Sequence, residues 1–150
     1  MTLFYDPPTA DSRTRTETTF GVSPLVLPAA QDAGNQRVFI VSAIGANFNI
    51  TTDQAITLPT GTWDITGIEV TNASTSMTTA VGGFYTAASK AGTAVVAATQ
   101  VYTALTTALI VLACTRAASP KVTTTLYFAL TTGQGAAATA DIRLYGTRVV

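Results

Sequence analysis

From Val122 to Thr131 the chain alternates strictly, with Val122, Thr124, Leu126, Phe128 and Leu130 on one parity and Thr123, Thr125, Tyr127, Ala129 and Thr131 on the other. A period of two sends successive side chains to opposite faces, which is the pattern of a β-strand with one buried face. Ile142 and Leu144 alternate in the same way with Asp141, Arg143 and Tyr145. From Arg37 onward, short apolar or alternating runs are separated by turn residues, so the domain reads as an all-β antiparallel sandwich or barrel. Strands are expected at Val38–Ser42, Asn47–Thr51 and Gln54–Leu58, the last closed by the turn Pro59-Thr60-Gly61-Thr62. In the next run Trp63 and Ile65 share one parity and Ile68 and Val70 the other, and a β-bulge at Thr66-Gly67 restores the register. Val81–Ser89 and Ala94–Tyr102 form a hairpin around Lys90-Ala91-Gly92-Thr93. Between Val101 and Leu112 the residues Val101, Leu105, Ala108 and Leu112 keep helical spacing, but the Thr and β-branched content favours strand.

Such a chain holds one core of ordinary size, since 150 residues bury about two thirds of their unfolded surface around a single centre. Its polarity is unusual. Charged residues make up 11% of the chain, against roughly 25% in soluble domains. Thr supplies 30 residues and Ala 25. Eight basic side chains balance eight acidic ones, so no long-range field recruits phosphate backbones or anionic membranes, and no nucleic-acid or membrane partner is expected. A charge-poor, hydroxyl-rich surface instead suits a protein held against other protein surfaces, in a homo-oligomer or a larger assembly. The apolar run Leu109–Cys114 is far short of the ~20 residues that cross a bilayer, and the N-terminus lacks the basic and apolar regions of a secretion signal. The chain therefore reads as soluble and unsecreted.

Catalytic chemistry is poorly provided for. There is no His and one Cys, which removes the commonest general base, the commonest metal ligand and any internal disulfide. Cys114 sits in the apolar string LIVLACT, where nothing stabilises a thiolate and a buried, inert thiol is the expectation. Asp53, Asp64, Glu69 and Asp141 stand singly in strand-like segments, and no carboxylate pair is legible. No enzyme activity, cofactor or metal is expected. Asn49-Ile50-Thr51 and Asn72-Ala73-Ser74 match the glycosylation tripeptide without a secretion signal to give it meaning. Gly82-Gly83 lacks the Lys-Ser/Thr of a phosphate loop and reads as strand curvature or close backbone approach. Trp63 and the Tyr residues are core or interface before they are a sugar-stacking platform.

Residues 1–36 differ from the rest. Residues 6–19, DPPTADSRTRTETT, hold five of the sixteen charges and no large apolar side chain, so they read as an extended arm that cannot order itself alone. Apolar clusters flank it, Leu3-Phe4-Tyr5 before and Phe20, Val22, Leu25, Val26 and Leu27 after. These clusters pack on the chain's own core or grip a neighbouring subunit or partner. Phe4, Tyr5, Phe20 and Leu25 are the candidate contact residues.

Five strings carry a resemblance: Ile44-Gly45-Ala46-Asn47, Asp53-Gln54-Ala55-Ile56, Val70-Thr71-Asn72-Ala73-Ser74-Thr75-Ser76, Gly82 to Lys90, and Gly135-Ala136-Ala137-Ala138-Thr139-Ala140-Asp141. Over roughly residues 37–146 the sequence resembles a family of small structural proteins of tailed bacteriophages. The resemblance implies a jelly-roll-like sandwich in residues 37–150 and a place in the virion as a capsid cement or decoration protein. It further implies the major capsid protein as partner and self-association, as a homotrimer before a dimer. A receptor- or carbohydrate-binding head domain of a tail fibre is the alternative that shares the same fold and the same lack of catalytic groups.

Overall fold

Nine strands form two antiparallel sheets in the computed structural model, which describes residues 38–108 and 110–149. They are β1 (Val38–Asn47), β2 (Gln54–Thr57), β3 (Thr62–Thr71), β4 (Val81–Ala87), β5 (Ala91–Val96), β6 (Leu112–Ala113), β7 (Lys121–Val122), β8 (Thr125–Thr132) and β9 (Thr139–Val149). One sheet runs β1-β9-β3-β6, with β7 also on β3, and the other runs β2-β8-β4-β5. No helix occurs among the described residues, and so none is long and apolar enough to cross a membrane.

Five of the seven strand pairings are nested, and β3–β9 and β4–β8 join them within each sheet. β4 pairs with β5, β3 with β6 and β7, β2 with β8 and β1 with β9, all antiparallel. The chain from β1 to β9 is thus one long hairpin, closed at residues 88–90 and wrapped so that its arms alternate between the two sheets. Inward residues of both sheets meet in a single core: Ile65, Ile68, Val70, Ile142 and Leu144 from one, Phe84, Val95, Leu126, Phe128 and Leu130 from the other. Phe48 and Tyr102, from connecting segments, insert between them and close an aromatic cluster on Phe128. The architecture is the antiparallel β-sandwich that the alternation predicts.

Several boundaries differ from the sequence reading, each for a local reason. The bulge falls where the parity change puts it, with the β3–β9 register shifting between Ile65 and Gly67. Asn47–Thr51 is no separate strand: β1 runs on to Asn47, whose side chain then accepts the Asn49 N–H at 2.8 Å. Such local side-chain bonding competes with a ladder and turns the chain. Residues 101–112 are neither helix nor continuous strand. Tyr102 and Leu105 are the buried anchors there, while Val101 and Ala108, on the helical spacing, are exposed. The run from Val122 to Thr131 is two strands in two sheets. Val122 pairs with Trp63, and the chain crosses over at Thr123-Thr124 before β8 begins. The alternation survives because both strands face the same core. β5 ends at Val96 rather than at Tyr102, and the hairpin turns at residues 88–90, with Ser89 and Lys90 at φ 60° and 57°.

Candidate interaction surface

Phe4, Tyr5, Phe20 and Leu25, with the whole arm 1–36, lie outside the described residues.

One end of the sandwich collects three of the strings that carry the resemblance. Asp141, only 8% exposed on β9, accepts the Gly45 N–H at 2.8 Å through Oδ1 and the Asn72 amide at 3.0 Å through Oδ2. Gly45 and Asn72 both have left-handed φ, 67° and 55°, and the shared carboxylate ties these two irregular points to one strand. Next to them Ser74 and Thr139 exchange two bonds: Ser74 N donates to the Thr139 carbonyl at 2.8 Å, and Thr139 N donates to Ser74 Oγ at 2.9 Å. Gln134 Oε1 accepts the N–H groups of Thr78 and Thr79 at 2.9 and 3.2 Å. At the string from Gly82 to Lys90, a Cβ on Gly82 would overlap the Leu130 backbone and one on Gly83 the Val96 carbonyl oxygen. Close backbone approach explains both glycines. Ser89 N donates to Asp53 Oδ2, and Lys90 Nζ donates to the Thr51 carbonyl, so the β4–β5 turn is clasped by the loop before β2. Trp63 Nε1 donates to the Pro59 carbonyl at 2.9 Å and holds the turn after β2.

Reactive groups are quiet. Burial pushes the Cys114 thiol up to about 12, only partly opposed by its hydrogen bond with Tyr102. The Tyr102 phenol is itself raised well above its ordinary value, first by burial and then by Cys114. A thiol held in this state stays protonated and is a poor nucleophile. No group of three or more His, Cys, Asp or Glu side chains suited to a metal occurs among the described residues.

The exposed large apolar side chains are the features that folding leaves unexplained. On β1, Val38 is 48% exposed, Phe39 53% and Ile44 75%. Phe39 stacks edge-on against Tyr145 of β9, centroids 5.9 Å apart. A second set comprises Val101, Ile110 and Val111. Val101 borders an open hollow of about 320 Å³ lined by Ala97, Thr99, Gln100, Thr115, Arg116 and Ala117. The Arg116 guanidinium donates to the Ile65 carbonyl at 2.7 Å, and the rest of that lining is methyls, hydroxyls and one amide. The sequence reading found the first half of β1, Val38–Ser42, of a strand that runs to Asn47, and did not see it as a sheet edge, because strand order is set by partners about 100 residues away. Its lack of charge was the available signal.

No protein-family model, curated protein or solved structure matches the chain.

Proposed function

We propose that this chain is a non-enzymatic virion structural protein, a cement or decoration protein that binds the head shell of a tailed phage and stabilises it. The observation that carries the reading is the set of exposed apolar side chains, Val38, Phe39, Ile44, Val101 and Val111, on a sandwich with few charges. Contacts of this kind displace water from methyl, ring and hydroxyl surfaces without desolvating charge. In this reading the sandwich is a jelly roll, for which the nested strand pairing speaks, and Phe4, Tyr5, Phe20 and Leu25 of the arm supply further grip on the major capsid protein or on a neighbouring copy. Each bound copy favours the assembled shell by mass action, and hundreds of weak sites sum to a large resistance against internal pressure. Self-association, as a trimer, multiplies the contacts of each copy.

The test is stoichiometry. Quantitative mass spectrometry of purified virions should give hundreds of copies per particle, in a simple ratio to the major capsid protein. A handful of copies located at the tail tip would overturn the reading in favour of a receptor- or carbohydrate-binding fibre head. Removing residues 1–19 should leave a folded, soluble protein that decorates empty shells poorly, and unchanged decoration would remove the arm from the mechanism.

A further inference from the structure

The β4–β5 hairpin does not run straight. Gln54 of β2 and Phe84 of β4 both pair with Phe128, so they stand level on either side of β8. Both strands run antiparallel to β8, which puts Asp53 level with Gly83, and Ser89 lies six residues beyond Gly83. In a straight strand six residues cover about 20 Å. Ser89 N nevertheless donates to Asp53 Oδ2, and Lys90 Nζ donates to the Thr51 carbonyl at 3.1 Å. The tip of the hairpin is therefore folded back across β8. It crosses the outer face, because the inner one is filled where Phe84 packs on Phe128, ring centroids 5.0 Å apart. The bend has a place. The β4–β5 register shifts between Phe84 and Tyr85 and again between Tyr85 and Ala87, and such irregularities bend a strand.

Tyr85 and Ala129 point to that outer face. Both stand outside the core cluster, yet they are 5% and 0% exposed, where the outer face of a sandwich is ordinarily wet. The Tyr85 hydroxyl is buried with no hydrogen-bond partner among the described residues. Burial, and after it the neighbouring Asp53 carboxylate, raises the Tyr85 phenol above its ordinary value, which places Asp53 close to the ring. The tip has little to hold it there. Residues 88–93 are all exposed, and the bonds within the tip tie it to itself: Thr93 N donates to Thr86 Oγ1 at 2.9 Å and Ala91 N to the Ala88 carbonyl at 3.2 Å.

We propose that residues 86–93 are a flap, hinged at the two register shifts and latched by Asp53, which opens on the folded sandwich and controls access to Tyr85. An unpartnered buried hydroxyl disfavours the closed state, and the bond from Ser89 to a carboxylate favours it. A segment with so few buried contacts opens well before the core does. Closed, this side of the sandwich presents the small residues of the tip. Open, it presents two phenols, Tyr85 and Tyr127, directly opposite each other on β4 and β8. The flap goes beyond the cement reading and does not rest on it.

The experiment uses the isolated full-length protein, with amide exchange over residues 86–93 and nitration of Tyr85 by tetranitromethane both read by mass spectrometry. Tyr127 serves as the internal reference for nitration and β9 as the reference for exchange. Asp53→Ala should make both the exchange of the tip and the nitration of Tyr85 about tenfold faster, the loss of one hydrogen bond to a charged group, with β9 unchanged. Asp53→Asn keeps an oxygen for the Ser89 N–H and should stay nearer the parent. Tyr85→Phe removes the unpartnered hydroxyl and should slow exchange of the tip. Nitration of Tyr85 that is unchanged in Asp53→Ala, β9 amides that accelerate by the same factor as the tip, or faster exchange of the tip in Tyr85→Phe would each overturn the flap.

Discussion

Truncation of Phe128 to alanine probes the point where the two sheets meet. The ring is fully buried in the middle of β8, and its centroid lies 4.8 Å from Phe48, 5.0 Å from Phe84 and 6.1 Å from Tyr102. Removing a buried Phe side chain costs about 3–5 kcal/mol, of which part is the cavity left behind. Three neighbouring rings cannot collapse into that cavity without losing their own edge and tilted contacts, each about 0.5–1.5 kcal/mol, so the loss should lie near 5 kcal/mol. With a urea slope of about 2 kcal/mol/M for a domain of this size, the unfolding midpoint falls by about 2.5 M. Tyr127 provides the control. It is the next residue, half-buried on the opposite face between Ala55 and Tyr85, and Tyr127→Ala should cost about 1 kcal/mol. Equal midpoint shifts for the two variants would refute the assignment of Phe128's face as the core and Tyr127's as the outer surface.

Gly83→Ala should destabilise by about 3 kcal/mol in the same assay, since its new methyl meets the Val96 carbonyl, which is backbone and cannot swing aside. Asp141→Ala strands the Gly45 N–H and the Asn72 amide and should cost about 1–3 kcal/mol, with Asp141→Asn recovering part of it because its oxygen replaces one acceptor while its NH2 meets the other donor. Cys114 should resist thiol reagents in the folded protein at pH 8 and react on unfolding. Because burial raises its thiol from the ordinary 9.0 to about 12 in the folded state, the unfolded chain releases that proton first, and stability should fall as pH rises from about 9 to 12, less steeply in Cys114→Ala. Protein retained on virions should survive a wash at 1 M salt, where the Debye length shrinks to about 3 Å, and wholesale release would show that charge holds it.

Strand content was legible because burial in a sandwich repeats every two residues, and the clearest runs, around Phe128 and Leu144, are the centres of the two sheets. The bulge at Thr66 was legible for the same reason, as a break in parity. What escaped the sequence was anything fixed by distant partners. The alternation from Val122 to Thr131 carries no mark of the crossing between sheets at Thr123-Thr124, since each strand presents the same face to the same core. Asp141 reads as an outward polar residue on an alternating strand; its burial depends on Gly45 and Asn72, 96 and 69 positions away. The Val101–Leu112 spacing was degenerate between two periods, and the outcome was decided by where Tyr102 and Leu105 find space in the core.

Many residues of the strings singled out in the sequence have work inside the fold, Ile44, 75% exposed, being an exception. Gly45, Asn72, Ser74, Thr139 and Asp141 lock one end of the sandwich, Gly82 and Gly83 let neighbouring backbone pass, and Ser89 and Lys90 clasp the loop before β2. Residues with such duties report on how a chain folds, and they are silent about what it touches. Partner choice must therefore reside elsewhere, in side chains that the fold does not need. On the sandwich those are Phe39, Ile44, Val101 and Val111, each exposed and none part of the core. A polar replacement such as Ile44→Lys should leave the unfolding free energy within about 0.5 kcal/mol of the parent and should still weaken any assembly built on β1, which separates contact from folding at a single residue.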